Sequence, residues 1–241
     1  MAELPLQEQV AIVTGAGAGI GRAIALRLAE LGATVALAAR NSARLAAVQA
    51  EVAERGGRAR AWPTDVRSLA QVEALIRGVV ETHGRLDLLV NNAGIGRFGA
   101  PLHEMAPEAW AETMETNLRA VYYAIRAAAP PMIARGGGQI INIASLAGHN
   151  PVPGAAAYAA SKAGLHGLTV SVAEELRGYG IRVSLVCPGS VDTDIAPQLT
   201  AGKNRARMLQ PGDIAHVVAM LATQAPRSFI SEVLIRPTQK P

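Results

Sequence analysis

The chain has 241 residues, 50% of them apolar but only 3% aromatic, with a net charge of +4 and a pI near 9.6. The basic residues are scattered among acidic ones with no Lys/Arg run and few rings to stack bases, which argues against a nucleic-acid partner. One cysteine, Cys187, leaves no intramolecular disulfide and suits a reducing compartment. The acidic start, MAELPLQEQV, lacks a signal-peptide pattern, and no apolar run reaches membrane-spanning length, so a cytoplasmic, membrane-free protein is expected.

Val10–Thr14 is a short apolar run ending in glycines, the pattern of a buried strand and a tight turn. Helical periodicity over 20–31 stops at Gly32, and 34–39 is a second buried strand. Ser42 is expected to cap a helix that runs to about Arg55 and stops at Gly56-Gly57. The unit then repeats: a strand at 58–63, a helix at 68–83, a strand at 86–91 and a long helix between about 107 and 129. A strand at 139–144, a helix at 157–179, a strand at 182–187, a helix at 212–223 and a last strand at 232–236 complete the chain.

No linker interrupts this alternation, so residues 1–241 read as one dinucleotide-binding domain with a small substrate lid at about 190–212. Continuously apolar strands alternating with helices predict an α/β fold, a doubly wound parallel sheet of about seven strands with helices on both faces. Ligands of such folds lie beyond the carboxyl ends of the strands, where every unusual residue cluster of this chain falls.

The first strand–helix turn carries Gly15, Ala16, Gly17, Ala18, Gly19, Ile20 and Gly21, a G-x-x-x-G-x-G spacing. Glycines there let the backbone approach a pyrophosphate, and the helix N-terminus offers free N–H groups. The second strand ends Ala38-Ala39-Arg40-Asn41 without the carboxylate that would bind the ribose hydroxyl of NAD. Arg40 suits the 2′-phosphate of NADP, so NADP(H) is the preferred cofactor and NAD(H) a possible one. Asp65, with Val66 beside it, is either a helix-cap residue or a contact for the adenine end.

Tyr158 and Lys162 stand four apart on one helix face. An ammonium near a phenol favours the phenolate, which makes the pair a proton-transfer device. Ser145 follows the fifth strand and can hydrogen-bond a substrate oxygen; no His or Asp is placed to make it a hydrolase nucleophile. Asn91-Asn92-Ala93-Gly94 ends the fourth strand, and Asn117 lies inside the long helix, where a buried amide needs partners. No metal site is expected.

With these residues together the chain resembles the short-chain dehydrogenase/reductase family, in its short single-domain branch. The resemblance spans nearly the whole chain: the glycine pattern from Thr14 to Gly21, the NNAG stretch from Asn91 to Gly94, Asn117, Ser145, the Tyr158–Lys162 pair, and Pro188-Gly189 followed by Val191 and Thr193. It implies that Tyr158 moves the proton, Lys162 lowers its pKa and holds the nicotinamide ribose, and Ser145 steadies the reacting oxygen. It also implies that Asn117 keeps a water and Lys162 in a proton relay, with cofactor contacts from Asn92, Pro188, Gly189, Val191 and Thr193, and a homodimer or homotetramer. The helices at 107–129 and 157–179 could supply its subunit contacts.

Two departures stand out. Position 18 is Ala where NADP-preferring relatives often carry a basic residue, and the C-terminus reads Glu232-Val233-Leu234-Ile235-Arg236 instead of a Val-Asp-Gly-Gly ending. The expected activity is NADP(H)-dependent hydride transfer on a small carbonyl or alcohol. A 3-oxoacyl-thioester reductase, with Arg97, Lys203, Arg205 and Arg207 meeting a phosphopantetheine carrier, is the alternative; a non-catalytic NADP sensor is the alternative of another class.

Overall fold

The structure is a computed structural model that describes residues 4–193, 195 and 204–241. Lys203 and most of the middle of the expected lid lie outside the described residues. Seven strands form one sheet: β1 (Val10–Thr14), β2 (Thr34–Ala39), β3 (Arg58–Pro63), β4 (Leu88–Asn91), β5 (Gly138–Ile143), β6 (Ile181–Pro188) and β7 (Glu232–Ile235). Their order is β3-β2-β1-β4-β5-β6-β7, every pair parallel, as the strand–helix alternation predicts. The order reverses between β1 and β4, and a crevice opens there at the carboxyl ends.

The helices are α1 (Gly19–Glu30), α2 (Ser42–Glu54), α3 (Leu69–His83), α4 (Pro107–Met114), α5 (Ala120–Arg135), α6 (Ala156–Arg177) and α7 (Pro211–Ala222). Strand side chains alternate between two apolar cores. Ala11 and Val13 pack with Ile24, Leu45, Val48, Ile214 and Val218, under α1, α2 and α7. Val10 and Ile12 pack on the other face with Val72, Ile76, Val121, Ile125 and Leu165, under α3, α5 and α6. Burial on both faces is why the central strands β1, β2, β4 and β5 read as largely apolar runs, while the edge strands β3 and β7 hold no fully buried residue.

Two local expectations change. The α2 cap is Asn41, whose side chain accepts from the Arg44 N–H at 2.9 Å, and Ser42 is already in the helix. The long helix does not stop before Pro130-Pro131: α4, a π-turn at Glu115–Arg119 and α5 are continuous to Arg135, where Gly136 closes the helix at φ +83. Each proline removes a backbone donor and crowds the preceding turn. Met132 is nevertheless fully buried and Ile133 packs on the same core, so burial of this last turn outweighs the local preference.

Candidate active site

The glycine loop is held from below by β4. Thr14 Oγ1 accepts from the N–H of Asn92 at 2.9 Å and of Ala93 at 3.1 Å, and the Asn92 side-chain amide donates to the Thr14 carbonyl at 2.9 Å. Asn92 therefore acts through the loop it pins. A Cβ at Gly21 would lie 2.3 Å from the Gly15 carbonyl oxygen, and one at Gly15, where φ is +69, would lie 2.8 Å from the Asn92 amide. Glycine at these two positions is a requirement of close backbone approach. Ala16 is buried, so it offers the crevice its backbone only.

α1 begins at the end of this loop with no side chain capping it and no acidic residue in its first turn. Its free N–H groups form a place for an anion. An open groove of about 890 Å³ runs from Gly15, Gly17 and Ala18 past Arg40, Arg44 and Asp65 to Val66 and Gly94. The guanidiniums of Arg40 and Arg44 have no hydrogen-bond or ion-pair partner among the described residues. Asp65, by contrast, is committed. Arg67 grips its carboxylate from two nitrogens at 2.7 and 3.0 Å and holds its pKa below the ordinary value. This loop, the uncapped helix and the two uncommitted cations fit a phosphorylated dinucleotide.

Arg44 escaped the sequence reading, which looked for a second cation at position 18. The Asn41 cap turns the chain so that Arg44 comes back beside the glycine loop, and a Cβ at Gly17 would meet the Arg44 Cβ at 3.2 Å. The cap preference of Asn just after the strand was the available signal. Farther along the crevice, Thr193 stands against Gly19, with its methyl 3.3 Å from where a Cβ would be. Val191 bridges to Leu209, Gly189 donates to the Ile235 carbonyl at 2.8 Å, and Pro188 pairs with Ile235.

At the carboxyl ends of β4 and β5 the polar groups form a buried network. Asn117 is fully buried in the π-turn; it accepts from the Ile95 N–H at 2.8 Å, and its amide donates to the Ile95 carbonyl at 2.9 Å and Ser161 Oγ at 3.1 Å. The widened turn shifts the helix register, and such turns recur at functional sites. Below it, Asn91 donates to Asn142 at 2.9 Å, and Asn142 donates to Thr169 at 2.9 Å. Asn142 and Thr169 were not expected; one asparagine in an apolar strand is too weak a pattern to mark them.

Tyr158 and Lys162 lie one turn apart on α6, with Ser145 across from them at the start of a 3₁₀ turn, Leu146–Gly148. Gly148 lets that turn seat on α6, since a Cβ there would be 2.9 Å from the Lys162 carbonyl carbon. Phe98 covers Tyr158, with ring centroids 4.9 Å apart. Burial pushes the Tyr158 pKa up, and a hydrogen bond with Ser145 opposes that shift. Lys162 Nζ donates to the Ile143 carbonyl at 2.9 Å and lies 5.8 Å from the Tyr158 ring centre. Desolvation pulls the Lys162 pKa down to about 8. Burial of the ring therefore dominates the Tyr158 shift, and the group that opposes it is Ser145, not the Lys162 expected from the sequence.

The family model described as short chain dehydrogenase matches residues 9–204. The chain belongs to the short-chain dehydrogenase family. A short-chain oxidoreductase of metagenomic origin, solved in complex with NADP, is 52% identical, with a TM-score of 0.87 over 98% of this chain and 100% of that one. A dehydrogenase/reductase from Sinorhizobium meliloti is 41% identical, with a TM-score of 0.88 over 98% and 96%. The 3-oxoacyl-[acyl-carrier-protein] reductase of Synechocystis is 39% identical over 94% of both chains. As a short-chain dehydrogenase the protein is an oxidoreductase that uses a nicotinamide cofactor and a small-molecule substrate. No helix among the described residues is long and apolar enough to cross a membrane.

Proposed function

We propose that the protein is an NADP(H)-dependent carbonyl reductase, reversible as an alcohol dehydrogenase, with Tyr158 as its general acid and base. The observation that carries this reading is the meeting of Ser145, Tyr158 and Lys162 at one sheet edge, beside a groove that ends at two uncommitted arginines. The backbone of Gly15 to Gly21 would hold the pyrophosphate, Arg40 and Arg44 the 2′-phosphate, and Val66 with the Asp65 backbone the adenine end. Tyr158 and Lys162 would hold the nicotinamide ribose, and Val191 and Thr193 the carboxamide. When bound, the nicotinamide supplies or accepts the hydride.

In reduction, the Tyr158 hydroxyl gives its proton to the substrate carbonyl oxygen, and in oxidation the phenolate takes it back. Ser145 has one hydrogen to donate, to the substrate oxygen as it reacts or to the phenolate once the proton has moved. Lys162, when charged, favours that phenolate through space. Asn117 is a positioning residue: it fixes the Ile95 backbone and, through Ser161, the turn of α6 that carries Tyr158. The same proposal places the enzyme in the cytoplasm as a homodimer or homotetramer, supported by its free cysteine and by exposed Trp110, Tyr122 and Val170 on α4, α5 and α6.

The Synechocystis relative favours a second reading, a reductase of 3-oxoacyl thioesters. Of the basic residues expected at the mouth, Arg97 is paired with Glu112 and Arg205 with Asp192, whereas Arg207 is exposed and Lys203 lies outside the described residues. The deciding experiment follows NADPH and NADH consumption over ketones, aldehydes, diketones, quinones and 3-oxoacyl thioesters, with Tyr158→Phe in parallel. Turnover with NADPH that falls by at least about 100-fold in Tyr158→Phe, with cofactor affinity kept, is the expected result. Undiminished turnover in the variant would remove Tyr158 from the mechanism. NADPH binding without turnover on any carbonyl would favour a sensor.

A further inference from the structure

Three metal-ligating side chains, His149, Cys187 and Glu232, meet beside Ser145 without taking part in the proposed reaction, and His166 stands at their rim. His149 follows the 3₁₀ turn that Ser145 begins, His166 lies on α6, Cys187 near the end of β6 and Glu232 at the start of β7. His149 Nε2 is 2.8 Å from Glu232 Oε1 and 3.6 Å from Cys187 Sγ, and Cys187 Sγ is 3.5 Å from the same Glu232 oxygen. His166 Nε2 lies 3.7 Å from the other Glu232 oxygen, and the two imidazoles meet edge to face at 5.0 Å. Cys187 is buried at 1% exposure, whereas Glu232 and both histidines are 30–39% exposed at their side chains, so an ion could enter from solvent.

We propose that His149, Cys187 and Glu232, with a solvent oxygen as fourth ligand, bind a zinc-class divalent cation that clips the Ser145 turn to the β6–β7 edge. Zinc–ligand bonds of about 2.0–2.3 Å in tetrahedral geometry keep the donors roughly 3.2–3.6 Å apart. Two of the three measured separations already fall there, and the His149–Glu232 hydrogen bond opens by about 0.5 Å to admit the ion. A thiolate, a carboxylate and an imidazole select zinc or cobalt over magnesium and calcium, which take oxygen ligands. The thiolate and carboxylate cancel the ion's two charges, so Lys162 nearby meets no net positive neighbour. Binding forms a metal–sulfur bond and releases the Cys187 proton to solvent. The site stands on side-chain geometry alone and does not depend on the reaction assigned above.

Tag-free, chelator-treated protein titrated with Co²⁺ under reducing conditions tests this directly. One equivalent should produce visible bands of tetrahedral intensity with an ultraviolet thiolate-to-cobalt band, both removed by Zn²⁺ and untouched by Mg²⁺. Cys187→Ser should lose the thiolate band. His149→Ala, a partly exposed change that keeps the fold, should weaken binding by more than the roughly 10–100-fold caused by loss of an outer-shell partner. Absence of the thiolate band in wild type, or equal Co²⁺ affinity in His149→Ala, overturns the site and leaves a hydrogen-bonded cluster.

Discussion

Arg40 was readable from its position at the end of β2, because a strand end without a carboxylate leaves few other places for cofactor selectivity. Arg44, which only the turn after Asn41 brings alongside, stands with it in the same groove. Arg40→Ala should weaken NADPH binding by about 10–100-fold, the worth of a charge-assisted phosphate contact, while NADH binding changes little. Fluorescence titration with both cofactors reads this, and equal losses would take the 2′-phosphate away from Arg40. Lys162 makes a different test, of pH. Folded, it gives up its proton near 8; unfolded, near 10.5. Between those values the unfolded chain binds more protons, so this residue makes stability rise with pH. Compared with Lys162→Met, wild type should gain on the order of 3 kcal/mol across that window at most. Denaturant curves of the two proteins that keep a constant offset over the window would rule the depressed pKa out.

At the scale of elements, the strands and helices were legible wherever burial and local preference agree. Val10–Thr14 and Thr34–Ala39 lie where apolar runs and flanking glycines place them, and Arg58–Pro63 follows its glycine pair as an exposed edge strand. The exceptions are the Pro130-Pro131 segment and the π-turn at Asn117, where packing overrides a local rule. The glycine loop offers a contrast within one residue type. Gly21→Ala places a Cβ 2.3 Å from backbone oxygen, which no rotamer can relieve. Stability should fall by about 1–3 kcal/mol, and NADPH and NADH should weaken together, because the loop itself moves. Gly56, with nothing within 4 Å and φ +76, serves as the control: Gly56→Ala should cost about 1 kcal/mol and leave cofactor binding intact. Denaturation and cofactor titration on both variants check this, and similar behaviour of the two would sink the close-approach argument.

For the whole molecule, the alternation of apolar strands with amphipathic helices was enough to specify a parallel, doubly wound sheet. That follows because side-chain period, crossover handedness and burial on two faces are properties of consecutive residues. The glycine loop, Arg40, Asn117, Ser145, Tyr158 and Lys162 were likewise visible, each as a residue type at a meaningful offset within one segment. Tertiary structure alone decided the rest: the hold of Asn92 on Thr14, the arrival of Arg44 against Gly17, and the His149–Cys187–Glu232 cluster. Those contacts join residues through the register of neighbouring strands and the seating of helices upon them. The distances involved are set by packing, which a linear pattern of residue types does not encode.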